Sequence, residues 1–205
     1  MGHPSRLMEY PVTRLTRRER KRDLTHARLY EAALDEFRRA GFDRSSVSRI
    51  ARKAGVSRAS FYFHFPAKEQ VLIELQWGVE QRIAERIAGC ASLREALNEL
   101  VEGLIEAQVT VADADLHRDM LKIYVRRPEW LSLEELSSPV TAELELQFVA
   151  GAAKGELRAG LVPEQATHLC LTSVFGFLIG TADPPASRRA DLRALVSLYL
   201  EDGET

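Results

Sequence analysis

Residues 45–65 read SSVSRIARKAGVSRASFYFHF, and this stretch decides the fold. Val47, Ile50, Ala51 and Ala54 recur at i, i+3, i+4 and i+7, the apolar face of a short helix. Gly55 ends it, as a residue free to take positive φ does. Ser57 then offers an N-cap to another short helix that runs to Phe65, where Pro66 breaks it. Such short helices do not stand alone in water, so their apolar faces need a partner. Residues 23–40 supply one: Leu29, Tyr30, Ala33, Leu34 and Phe37 form a single helical stripe, closed by Gly41. A longer helix followed by two short ones across a tight glycine turn makes a helix-turn-helix. Its expected core is Leu29, Ala33, Phe37, Val47, Ile50, Ala51, Ala54, Phe61 and Phe65. The helix after Ser57 then exposes Arg58, Ala59, Ser60, Tyr62, Phe63 and His64, and a major groove of roughly 12 Å admits one such helix.

Outward from this motif the chain keeps the helical period. A fourth helix is predicted over 67–88, with Val71, Leu72, Leu75, Val79, Ile83 and Ile87 as its stripe. Further helices are predicted over 92–111, 116–126, 132–155 (interrupted at Pro139), 163–182 and 187–201, with breaks at Arg127-Pro128, Gly160 to Pro163 and Asp183-Pro184-Pro185. The fold class is therefore all-α: a basic arm over 1–22, a helix-turn-helix domain over 23–68, and a larger helical domain over 69–205.

The charges divide the chain at the same place. Residues 1–68 hold 16 Lys and Arg against 7 Asp and Glu, a balance of +9, while the remainder carries 12 basic and 23 acidic residues, a balance of −11. A basic head on an acidic body points the head toward a polyanion.

The stretch from Ser45 to Phe65, with Lys68-Glu69 behind it, resembles the DNA-binding signature of the TetR family of transcription regulators. The resemblance implies a sequence-specific regulator, most often a repressor, with roles for particular residues. Ser57 matches the cap that binds phosphate, as free N–H groups at a helix start do. Arg58, Ala59 and Ser60 occupy the base-reading positions, where Arg58 suits guanine and Ala59 a thymine methyl. Tyr62 and His64 match phosphate contacts, Phe63 a sugar or base contact, Lys68 the lysine that grips the backbone, and Arg49 joins the DNA-contacting set. Two positions depart from the pattern: Ala59 stands where glycine is common and Phe63 where tyrosine is common. Both bear on base preference.

The resemblance also implies a homodimer on a near-palindromic double-stranded operator, paired through the last two long helices as a four-helix bundle. Residues 163–182 are apolar nearly all round, with Leu169, Ser173, Gly176, Phe177 and Gly180 on one face, and the last helix offers Leu192, Leu195, Val196 and Tyr199. A helix with two apolar faces needs partners on both. A pocket for a small, largely apolar effector is expected between the fourth helix and those after it, lined by Trp77, Gln108, Met120, Tyr124, Trp130, Phe148 and Phe175.

Other chemistries find little support. Asp113, Asp115, His117 and Asp119 resemble the start of a calcium loop, yet no glycine follows for the turn and Tyr124 stands where the loop needs glutamate. Acidic residues at a helix start are explained by its dipole, so no metal and no cofactor is expected. No phosphate-binding, dinucleotide, zinc-protease or nucleophile-elbow motif occurs, which argues against an enzyme. A ligand-free architectural DNA binder is the competing reading, with little use for so long an acidic body. Cys90 and Cys170 are too few for a disulfide scaffold and fit a reducing, cytoplasmic setting. The opening residues hold no apolar run for a signal peptide, and the uncharged run 165–182 is too polar for a membrane span.

Overall fold

The computed structural model describes residues 16–110, 138–180 and 185–201. Within them the chain forms α1 (Arg17–Ala40), α2 (Val47–Lys53), α3 (Arg58–His64), α4 (Glu69–Ala88), α5 (Leu93–Thr110), α6 (Pro139–Ala153), α7 (Pro163–Gly180) and α8 (Pro185–Ser197). The predicted helix over 116–126 lies outside the described residues.

The head follows the sequence stripes. Leu29, Ala33, Phe37, Ile50, Ala51, Ala54, Phe61 and Phe65 are all buried, and Val47 packs half-buried beside them. Gly41 and Gly55 take φ of 77° and 69°, which closes α1 and forms the turn between the two short helices. α2 receives its N-terminal cap from a distance: the Ser46 hydroxyl makes no capping bond, and the Glu36 carboxylate of α1 accepts the Ser46 N–H instead.

The basic run at 17–22 departs from expectation. It is not an arm but the first turns of α1. Thr16 caps the helix, its hydroxyl accepting the Glu19 N–H while Glu19 accepts the Thr16 N–H, a complete capping box. The sequence pattern T-x-x-E marks such a helix start despite the dense charge beside it.

In the body, α4 packs against α5 and α6, α8 lies on α5, and α7 lies between α6 and α8. Two glycines set the approach of these helices. A Cβ on Gly103 would stand 2.7 Å from Ile83 Cγ1, and one on Gly151 would stand 2.8 Å from Leu93 Cβ. The α6–α7 connection is fastened to the end of the chain by Leu157 bridging to Leu200 and by the Glu201 N–H donating to the Glu156 carbonyl. Burial pushes the Cys170 thiol up to about 12 and also raises that of Cys90, so neither is an activated thiolate.

Candidate nucleic-acid interface

The reading helix presents the residues its period predicts. Ser57 caps α3, its hydroxyl accepting the Ser60 N–H at 3.1 Å. Phe61 and Phe65 turn inward. Arg58 and Ala59 are exposed, as are Tyr62 and Phe63, the latter 70% accessible. A phenyl ring so exposed beside cationic side chains leaves apolar area open to a partner. Arg58 is not loose. One guanidinium nitrogen donates to the Tyr62 hydroxyl at 3.3 Å, and the guanidinium carbon lies 5.5 Å from the centre of that ring. Open hollows run along both sides of α3, one bordered by Ser48, Arg52 and Ser57, the other by Ser45, Tyr62 and Lys68, and Arg58 borders both.

Two members of the expected DNA set are committed to protein partners. The Lys68 ammonium donates to the Phe42 carbonyl at 2.6 Å, to the Asp43 carbonyl and Ser45 hydroxyl at 3.3 Å each, and sits 4.4 Å from the Phe42 ring centre. These three bonds account for all the donors an ammonium has. Arg49 donates to Glu36 at 2.6 Å and to the Arg44 carbonyl at 3.1 Å. Glu36 is the centre of that cluster: 6% exposed, it also accepts two nitrogens of Arg39. Burial works to raise its pKa, but the hydrogen bonds from Arg49, Arg39 and Ser46 outweigh it and hold the carboxyl below its usual range. Glu36 was not singled out from the sequence, where an acidic residue within a basic helix looks like surface.

His64 is half-buried, its ring 5.7 Å from that of His26, which stacks on Phe65 at 4.4 Å. Burial lowers the His64 pKa, and the nearby His26 and Arg22 lower it further. His26 also lies 2.8 Å from a Glu74 oxygen, which joins α1 to α4.

The profile of the bacterial regulatory proteins of the tetR family matches residues 29–75, the whole helix-turn-helix with the start of α4. These residues carry the DNA-binding domain of the TetR family. The chain is 29% identical over 170 residues to YdgC of Bacillus subtilis, named an uncharacterized HTH-type transcriptional regulator, and the match covers 80% of this chain and 87% of that one. It is 24% identical to the transcriptional repressor AcnR of Corynebacterium efficiens, covering 73% of this chain and 78% of that one. Among solved structures it resembles FadR of Bacillus subtilis in complex with stearoyl-CoA, with a TM-score of 0.61, 20% identity, and 83% and 97% of the two chains covered. Thermus thermophilus FadR in complex with lauroyl-CoA gives 0.62, 23% identity, and 88% and 98%. The protein is a DNA-binding transcriptional regulator with an all-α fold. No described helix is long and apolar enough to cross a membrane.

The expected pocket residues are scattered. Phe148 is fully buried on α6, its ring edge-on to Tyr199 at 6.1 Å, and Phe175 is half-buried on α7. Trp77 is a correction. It is 50% exposed, because α4 turns Leu72, Gln76, Val79, Glu80 and Ile83 inward and position 77 falls on the opposite face with Glu74 and Gln81. Gln108 falls in the last turn of α5. Met120, Tyr124 and Trp130 lie outside the described residues, as do Asp113, Asp115, His117 and Asp119. What the sequence did not single out is polar: Gln76 donates to Glu80 at 2.8 Å, and the Ser138 hydroxyl that caps α6 donates to the other Glu80 oxygen, all three buried.

The expected dimer residues divide in two. Leu192 and Val196 are buried within the protomer, so these two are corrected: α8 spends that stripe on α5. Leu195, Ser173, Phe177 and Tyr199 are half-buried, Ser173 and Tyr199 sharing a hydroxyl contact at 3.3 Å. Leu169 and Gly176 face outward, and Gly180 ends α7. Leu198, which the sequence reading passed over, is 60% exposed in the turn that follows α8.

Proposed function

We propose that this regulator is a homodimeric repressor that a small, largely apolar ligand releases from a near-palindromic operator. α3 reads the groove through Arg58, Ala59 and Ser60, flanked by phosphate and sugar contacts from Ser57, Tyr62, Phe63 and His64. Arg49 and Lys68 act chiefly as positioning residues that hold the turn. The dimer forms through the outer face of α7, with Leu169, Thr172 and Gly176, together with Leu198.

One observation carries the release mechanism. α4 is hydrogen-bonded to the head at one end, through Lys68 at its N-cap and through Glu74 to His26, and to the body through Glu80 and Ser138. A helix of 20 residues spans about 30 Å at ~1.5 Å per residue. A tilt of ~10° about its far end displaces the near end by ~5 Å on that length. In a dimer, two displaced heads no longer fit successive major grooves. A ligand that prefers the released form about 100-fold supplies ~2.7 kcal/mol per site, so two sites approach the ~5.5 kcal/mol needed to invert a 99:1 population.

The fold-level relatives in complex with stearoyl-CoA and lauroyl-CoA make those compounds the first probes. The experiment selects a duplex from a randomised pool with the protein, then titrates each acyl-CoA into the complex. Release of the duplex, with a matching loss of acyl-CoA affinity when duplex is present, is expected from linkage. Acyl-CoA binding with equal affinity in both conditions would exclude these compounds as inducers. Failure to select any duplex would exclude the operator reading.

A further inference from the structure

We propose that the first two turns of α1 form an additional DNA-gripping element, laid on the phosphate backbone beside the groove that α3 enters. This rests on the reading of the chain as a DNA-binding regulator and adds a contact surface outside the matched residues 29–75.

The first observation is placement. Arg18, Lys21 and Arg22 stand at i, i+3 and i+4 and continue the face that lower down carries Thr25, His26 and the buried Leu29. This face therefore leads into the head and not away from it. Arg22 shows where its upper part lies: its guanidinium carbon is 5.7 Å from the ring centre of Phe63, in the last turn of α3. The basic stripe and the exposed side of the reading helix thus form one continuous surface.

The second observation is charge. Arg17, Arg18, Arg20, Lys21 and Arg22 are all exposed, and among the described residues none of them takes part in an ion pair. Several cations elsewhere differ: Arg38, Arg39, Arg49, Lys53, Arg86, Arg189 and Arg193 each face a carboxylate. The one acid in the first turn, Glu19, is turned back onto the Thr16 N–H at 2.6 Å. Like charges three and four residues apart repel one another along a helix. A row of phosphates relieves that repulsion and releases counterions as it does so.

The third observation is order. The Thr16–Glu19 capping box holds these residues helical before any partner arrives. The cations are then presented as a fixed row, and the backbone entropy of ordering them is not charged against binding.

The test uses the full chain and two duplexes of equal length, one selected from a randomised pool by the wild type and one of scrambled sequence. The variants are R18Q/K21Q, on the proposed face, and R17Q/R20Q, off it. Arg22 is left in place on Phe63. Dissociation constants are measured between about 50 and 200 mM salt, where each lost phosphate contact flattens the log–log slope by ~0.9. R18Q/K21Q is expected to flatten the slope by ~1.8 per protomer on both duplexes, with the ratio of selected to scrambled affinity unchanged. R17Q/R20Q is expected to change it by less than half as much. A wild-type slope in R18Q/K21Q overturns the proposal, and so does an equal effect of the two pairs. R18Q/K21Q weakening adsorption to anionic vesicles while leaving the duplex slope intact overturns it in favour of a membrane surface. A wild type that binds neither duplex sinks the DNA reading itself, a result distinct from the others.

Discussion

The Lys68 ammonium lies 2.6 Å from the carbonyl oxygen of Phe42 and over the ring of the same residue. Lys68 begins α4, and Phe42 follows the glycine that ends α1. This contact makes the first residue of the lever a strut of the helix-turn-helix. Lys68→Ala is therefore expected to destabilise the DNA-free protein by about 1–2 kcal/mol, the range of a hydrogen bond to a charged group discounted for partial exposure. Denaturant midpoints without DNA measure it. A purely phosphate-binding lysine leaves that midpoint unchanged.

Arg58 is held against Tyr62 on the exposed side of α3. Arg58→Ala is expected to cost about 1–3 kcal/mol on the selected duplex and to broaden base preference at one position of each half-site. Tyr62→Phe, which removes the hydroxyl and keeps the ring, is expected to cost less and leave the preference intact. Repeating the selection with each variant reads the outcome, and an unchanged preference in Arg58→Ala rules out base reading by that residue.

Glu36 and His64 contribute to the pH dependence of the head, with Asp35 and Glu19 lowered alongside Glu36. The Glu36 carboxyl is held below the usual carboxylate range, so the stability it contributes is present at neutral pH and lost as pH falls through the lowered folded value. The His64 pKa is depressed below 6.5. The unfolded chain therefore takes up a proton that the folded one resists, and stability falls as pH drops from 6.5 through the lower folded value. Both act in the same direction in successive windows. His64→Asn is expected to flatten stability in the upper window only, and Glu36→Gln to flatten it below pH 4.5. Thermal midpoints across pH distinguish them. Glu36→Gln also lowers the neutral-pH plateau by about 1–3 kcal/mol, because Arg49 and Arg39 lose a charged acceptor.

Two glycines separate packing from assembly. Gly151→Ala places a Cβ against Leu93 Cβ at 2.8 Å and is expected to cost about 1–3 kcal/mol of stability, since the crowded atom is the root of a buried side chain. Gly176 has nothing within 4 Å of its Cβ position. Gly176→Leu should therefore leave protomer folding intact, with the modest gain of a better helix former, about 1 kcal/mol. Its effect is expected in sedimentation instead, as at least a tenfold weaker dimer. An unaltered association constant places the interface elsewhere.

The helices of the head were legible because their information is local. A stripe at i, i+3, i+4 states which side of a helix is apolar, and glycine or proline states where it stops. The family resemblance rested on the particular residues of 45–65 and on Lys68-Glu69. The capping box at Thr16 was equally local and equally written, and the neighbouring charges masked it. Tertiary structure decided the partners. Lys68 meets Phe42 across 26 residues and Arg49 meets Glu36 across 13, so a basic residue suited to phosphate became a bond within the protein. The stripe of Leu192 and Val196 was correctly apolar, but only packing could assign it to α5 within the protomer and leave Leu198 outside. Trp77 was misplaced for the same reason: a large apolar residue on an amphipathic helix is drawn inward only if its own azimuth faces a neighbour, and that of Trp77 does not. Hydrophobic periodicity fixes a face, and the face acquires its partner only when the helices are set in space.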